Sequence, residues 1–150
     1  TLVDAVAEAG LRLGCSRPLF VKLSPDLAPA ELESLVAALL GTPAAGLILS
    51  NSTLARPALA SELAAEAGGL SGRPLLSLTL EHVRRARAIA GDRLVIVASG
   101  GIASAADVAS AYQAGADLVQ LWTGLVYRGP GLVGEAAAVP VARPWAAGRM

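Results

Sequence analysis

Lys22 is the only lysine among the 150 residues, and it stands inside the apolar run Leu19-Phe-Val-Lys-Leu23. Taking an ammonium out of water is costly unless an anion or several acceptors meet it. Near the C-terminal end of a strand, Lys22 would face a ligand carrying negative charge. The plain alternatives are an ion pair with a carboxylate such as Asp26, or a side chain that runs out to solvent. Ser50-Asn51-Ser52 follows the next apolar run. An Asn amide has donors and an acceptor, so Asn51 with Ser52 could read a planar imide or a carboxylate; Asn and Ser also simply open loops. In Gly68-Gly-Leu-Ser-Gly-Arg-Pro74, exposed backbone N–H groups could approach a phosphate or a ring closely, or the segment could be a flexible turn. Ser99-Gly100-Gly101-Ile102 lies between an apolar run and a capped helical pattern, where backbone amides suit an anion. One repeat later Trp122-Thr123-Gly124 could complete that anion site; the alternative is that these glycines only permit tight turns. His82 reads as a surface residue near a helix start. Cys15 reads as an inert small hydrophobe, with no base close in sequence.

The composition narrows the classes. Lys and Arg number 12, as do Asp and Glu, and without a basic excess nucleic acid is not an expected partner. One cysteine forms no internal disulfide and no zinc thiol cluster, and one histidine builds no His-based metal site. The chain is 54% hydrophobic and 16% charged, enough for a packed core and unlike a disordered chain. The longest apolar candidate is interrupted at Gly41, Thr42 and Pro43, short of a membrane span. The length suits one domain or part of a larger one. There is no signal peptide or starting Met, and Thr1 opens directly on a helical pattern, as expected of a fragment.

Two apolar periods alternate along the chain. Leu2, Val3, Val6, Ala7 and Leu11 recur at helical spacing, and 19–23 reads as a strand. Leu32, Leu35, Val36, Leu39 and Leu40 form a helical face with Pro29 in its first turn. A strand follows at 45–50. Thr79 is positioned to cap a helix bearing Leu80, Val83, Ala86 and Ile89 that Gly91 stops. A third strand at 93–98 precedes a helix capped by Ser104 with Asp107 and closed by Gly115. The fourth strand is 117–122. Strands separated by helices and apolar on both faces specify an α/β fold with a parallel sheet. A doubly wound sheet and a (β/α)8 TIM barrel both fit, but no Gly-x-Gly-x-x-Gly directly follows a strand pattern (the one such spacing, Gly129-Pro-Gly-Leu-Val-Gly134, comes well after the fourth strand) and no P-loop appears, which lowers the nucleotide-fold reading. A barrel needs about 250 residues, so these four strands would be about half of one. Its two open edges favour association. The aperiodic segment 51–76 is long enough to be functional.

Five motifs stand in order: Phe20-Val-Lys22-Leu-Ser-Pro-Asp26, Ser50-Asn-Ser-Thr-Leu-Ala-Arg-Pro57, Gly68-Gly-Leu-Ser-Gly-Arg-Pro-Leu75, Ser99-Gly-Gly-Ile102 and Leu118-Val-Gln-Leu-Trp-Thr-Gly-Leu-Val-Tyr-Arg-Gly-Pro-Gly-Leu132. Together they resemble the C-terminal half of a class 2, quinone-dependent dihydroorotate dehydrogenase, from about residue 18 to 135. The resemblance makes 1–150 the C-terminal half of an FMN-binding (β/α)8 barrel, with 136–150 a poorly matched tail. It implies that Lys22 contacts the FMN ring and stabilises negative charge on it. It implies that Ser50, Gly72, Gly101, Trp122 and Thr123 line the FMN site, the last three around the phosphate. Asn51 and Ser52 match the pair that binds the orotate ring. Trp122 stands where the family usually has Tyr, and Ser52 where Thr is usual.

The activity so implied is oxidation of (S)-dihydroorotate to orotate in pyrimidine (UMP) biosynthesis, with a C5 proton taken by a base, hydride passing from C6 to FMN, and a quinone reoxidising the flavin. The catalytic base is a serine expected in the missing N-terminal half, so no catalytic residue is assigned within this chain. That half would also supply further FMN and substrate contacts and a peripheral contact with the cytoplasmic (inner) membrane; this segment alone would be soluble and inactive. Two alternatives stand beside this reading: another FMN- or phosphate-binding barrel oxidoreductase, and a non-catalytic half-barrel.

Overall fold

The computed structural model describes residues 1–15, 17–57, 59 and 62–141. Four strands, β1 (Leu19–Leu23), β2 (Ala44–Leu49), β3 (Val95–Ser99) and β4 (Leu118–Gln120), form one sheet in the order β1-β2-β3-β4, with every neighbouring pair parallel. The strand order never reverses, so this is not a doubly wound sheet; it is an arc of sequential βα units, as the half-barrel expectation required. The helices are α1 (Leu2–Arg12), α2 (Pro29–Leu39), α3 (Leu76–Ala90), α4 (Ala105–Ala114), α5 (Thr123–Arg128) and α6 (Gly131–Ala137). Short 3-10 turns at Glu62–Ala65 and Arg73–Leu75 interrupt the long connection after β2.

Local chemistry sets most helix ends. Pro29 occupies the first turn of α2, and the Glu31 carboxylate accepts the Ala28 N–H at 2.8 Å. The Ser104 hydroxyl accepts the Asp107 N–H at 3.2 Å, and Gly115 at φ +110° ends α4. α3 departs from expectation. It begins at Leu76, led in by the Arg73–Leu75 turn. Thr79 is therefore not a cap but a buried interior residue, donating to the Ser99 carbonyl at 3.4 Å. The same shift turns His82 inward, to 3% exposure; it is not a surface residue. Leu35, expected in the core, is 40% exposed, and Cys15 is exposed rather than packed as a small hydrophobe. Ala136, at the start of the expected tail, is buried in the core; residues 142–150 of that tail lie outside the described residues.

Side chains alternate across the strands. Leu23, Leu47, Leu49, Ile96 and Ala98 face the helices, where they join Leu32 and Val36 of α2, Val83 and Ala86 of α3, and Val108 and Ala111 of α4 in one core. The opposite face carries rows fixed by the pairing register. Phe20, Gly46 and Val95 form the first; Lys22, Ile48, Val97 and Leu118 the second. Ser99 and Gln120 form the third with Ser50, whose N–H donates to the Ser99 carbonyl at 2.5 Å. Gly46 lets the Phe20 ring cross β2: a Cβ there would lie 2.5 Å from a Phe20 ring carbon. At the opposite end of the sheet the buried Arg87 guanidinium pairs with Asp117 and donates to the Gly115 carbonyl at 2.8 Å. Asp117 also accepts the Ile96 N–H at 2.8 Å, which ties α3 to β3 and β4.

The His82 Nδ1 atom is buried and has no hydrogen-bond partner among the described residues. Burial holds its imidazole below the ordinary value of 6.5; Glu81 opposes this and Arg85 adds to it. The unfolded chain thus takes up the proton first, and folding stability falls as pH drops from about 6.5 through the folded-state value. His82→Leu should flatten this dependence. Urea midpoints at pH 7.5 and 5.5 should separate the two proteins; equal losses on acidification would refute a buried, uncharged His82.

Candidate functional site

The C-terminal ends of the four strands open on one cleft of about 410 Å3. Lys22 comes from the end of β1, Ser50, Asn51 and Ser52 from the exit of β2, Gly72 from the glycine-rich loop, Gly101 from the exit of β3, and Trp122 and Thr123 from the exit of β4. All eight line the cleft. Ser99, Gln120, Gly69 and Ser71 line it too; Gly69, Ser71 and Ser99 lie in segments that the sequence marked for an anion or a ring, but none of the four was given a role of its own. Period-two spacing could have found Gln120, since 118, 120 and 122 share a strand face.

Lys22 is exposed on the inner face of β1 and has no hydrogen bond or ion pair among the described residues. Its suggested partner Asp26 is occupied elsewhere. The Asp26 carboxylate accepts the Leu54 N–H at 2.8 Å and the Thr53 hydroxyl, and these bonds, chiefly that from Leu54, hold its pKa below the usual carboxylate value. Thr53 and Leu70 exchange backbone hydrogen bonds of 3.0 and 2.8 Å. Arg56 fills the loop they close, donating to the carbonyls of Leu54 at 3.2 Å, Glu66 at 3.0 Å and Gly68 at 2.5 Å. The described parts of the 51–70 connection are therefore braced by Asp26, Arg56 and the Thr53–Leu70 bonds.

At the exit of β2 the chain stays on the sheet. The Asn51 N–H donates to the Leu23 carbonyl at 3.1 Å, and the peptide between Leu49 and Ser50 is cis. The Asn51 Oδ1 atom accepts the Ser52 N–H at 2.9 Å, a local turn bond. The amide NH2 donors of Asn51 make no bond among the described residues. Both the turn role and the reading role proposed for this residue type can thus be met at once.

The glycine-rich loop is tied to the exits of β3 and β4. Thr123 donates its hydroxyl to Ser71 Oγ at 3.0 Å. Arg73 pairs with Asp107, whose Oδ2 also accepts the Ala103 N–H at 3.0 Å. Burial alone would raise the pKa of Asp107. The bonds from Ala103 and Ser104 and the Arg73 charge outweigh it and hold the group below its usual value. The Asp107 side chain therefore serves the turn before α4 rather than closing a reciprocal capping box. The Trp122 indole is 82% exposed, so no packing of the site depends on it.

A family model described as dihydroorotate dehydrogenase matches residues 1–137. A dihydroorotate dehydrogenase (quinone) of Sphingopyxis alaskensis is 48% identical over 136 residues, covering 91% of this chain and 38% of the relative. One from Deinococcus radiodurans is 46% identical over 134 residues, covering 89% of this chain and 36% of the relative. A crystal structure of DHODH from Eimeria tenella in complex with ferulenol aligns with a TM-score of 0.78 and 38% identity, covering 83% of this chain and 34% of that one. The chain thus spans a little over a third of the length of the relatives it matches.

Gly101 has φ +78°, and a Cβ there would lie 2.4 Å from the Leu76 nitrogen and 2.6 Å from its Cα. Backbone cannot yield as a flexible side chain would. Gly101→Ala should cost more than the roughly 1–2 kcal/mol of left-handed strain alone, seen as a lower Tm without any ligand. Gly134→Ala, with open space around it in α6, should hold or raise the Tm. Equal melting of the two variants would contradict the tight junction.

Proposed function

The chain belongs to the dihydroorotate dehydrogenase family, and we propose that a complete enzyme containing it oxidises (S)-dihydroorotate to orotate with FMN as cofactor and a quinone as electron acceptor, a step of pyrimidine biosynthesis. The observation that carries this reading is the convergence of all eight expected residues, from four separate strand exits, on one cleft. Its volume lies in the range of about 300–1,000 Å3 usual for small-molecule sites. The donor set fits a flavin nucleotide: an ammonium without a partner among the described residues at one strand exit, and glycine-bearing junctions at two others.

FMN, when bound, supplies the two-electron acceptor. Lys22 would hold a positive charge beside the ring, and a cation placed there favours a transition state that gains negative charge over the ground state. Ser50 and Gly72 would line the FMN site, and Gly101, Trp122 and Thr123 would lie around its phosphate. Asn51 presents paired hydrogen-bonding groups to the flat pyrimidine ring, and Ser52 adds a hydroxyl. The proton-abstracting serine belongs to the part of the barrel outside this chain. Membrane and quinone contact, peripheral on the cytoplasmic membrane, would come from that part as well; among the described residues no helix is long and apolar enough to cross a membrane.

Lys22→Ala in the complete, FMN-loaded enzyme should slow flavin reduction by about 100-fold or more, the scale of losing one preorganised charge-stabilising group. It should also lower the flavin's reduction potential. Lys22→Arg should rescue poorly, because a planar fork does not replace a compact ammonium. Stopped-flow absorbance corrected for FMN occupancy measures the effect. A variant that is less stable but reduces its flavin at the normal rate would make Lys22 a packing residue.

A further inference from the structure

We propose that Arg73 and Asp107 are positioning residues that brace the phosphate side of the cleft, acting through backbone that they fix rather than by touching the ligand. The inference rests on the flavin-nucleotide reading above. Neither side chain lines the cleft, yet their bond joins two segments that do. Arg73 follows Gly72 directly, and Asp107 is tied to the turn that begins at Gly100 and Gly101.

The pair is built unequally. The Asp107 side chain is 7% exposed and that of Arg73 is 65% exposed. A carboxylate so buried needs compensation. The Ala103 N–H at 3.0 Å supplies a hydrogen bond, and Arg73 is the only side chain that forms a salt bridge with it among the described residues. Asp107 Oδ2 accepts from both, so a single atom holds the turn after β3 and the glycine-rich loop together. The hydrogen bond from Thr123 to Ser71, 3.0 Å, fastens the same loop to the exit of β4. The glycine-rich loop thus spans the two junctions assigned to the phosphate and sets their separation. Arg73 has a second effect: it offsets a negative charge at the start of α4, beside the Gly100-Gly101 turn where a phosphate dianion is expected. Loss of Arg73 would leave that carboxylate without its ion-pair partner, held by the remaining hydrogen bonds alone, and disfavour an anion there.

A ligand with and without its phosphate separates this role from a merely structural one. FMN and riboflavin share the ring, so their affinity ratio isolates the phosphate side. In the complete apo-enzyme, Arg73→Met should weaken FMN binding about tenfold, the lower end of what outer-shell partners contribute at metal sites, while riboflavin affinity stays unchanged in fluorescence titration. The double variant Arg73→Met/Asp107→Asn removes both charges, leaves no unpaired carboxylate, and serves where the single variant does not fold. It should regain part of the FMN preference, because repulsion is gone while the brace is still missing. Equal weakening of both flavins, or no weakening of either, would overturn the proposal. A wild-type enzyme that does not prefer FMN to riboflavin would instead overturn the phosphate assignment itself, and this proposal with it.

Discussion

Everything in this site depends on one geometric constraint: strands that run parallel and follow one another by right-handed crossovers send every strand-to-helix junction to the same edge of the sheet. Lys22, Asn51, Gly101 and Thr123 are spread over a hundred residues of chain, yet the order β1-β2-β3-β4 brings them to one cleft. The inner face follows the same logic. Its lowest row is Phe20, Gly46 and Val95, the next mixes Lys22 with Ile48, Val97 and Leu118, and the row at the rim is Ser50, Ser99 and Gln120. Polarity therefore rises towards the junctions. The lower rows are mostly apolar, although Phe20 and Leu118 are exposed, and the rim row carries hydrogen-bonding side chains.

The charged residues near the cleft divide by use. Asp26 closes on Thr53 and Leu54, Arg56 on loop carbonyls, and Arg73 on Asp107. Each spends its charge inside the protein, which stiffens the connections that carry Asn51, Ser52 and Gly72. Lys22 is different: it lies in the cleft with its ammonium uncommitted among the described residues. A loop built in this way keeps its ligand groups in place before a ligand arrives, and preorganised groups stabilise developing charge at least cost.

The order of strands and helices was legible because alternation of apolar periods is a local property of the chain. Seven of the eight candidate residues lie at or beside the end of a strand, where parallel topology makes them line the cleft; Gly72 lies in the glycine-rich loop, and the ligand roles of the set came from the motif resemblance. Thr79 and His82 were misread because the start of α3 depends on the Arg73–Leu75 turn, which moves the helix start three residues back from the apparent cap and sends both side chains inward. β4 is shorter than its apolar run because its ladder ends where β3 ends, at the Ser99 and Gln120 pair. The bonds from Thr53 to Asp26 and from Arg73 to Asp107 join residues 27 and 34 positions apart, and no local pattern encodes them. Ser71 lacked any signal of its own, since its value lies in the hydroxyl of Thr123, 52 residues away.

The central claim is that the exits of β3 and β4 together hold a phosphate while the exits of β1 and β2 hold a ring and its substrate. Amide hydrogen exchange of the complete enzyme with and without FMN tests it most directly, because it reads the backbone groups themselves. The account predicts slowed exchange at 100–102 and at 122–124 when FMN binds, with riboflavin slowing these amides less. FMN that binds tightly while both segments exchange as they do in the apo-enzyme would contradict it.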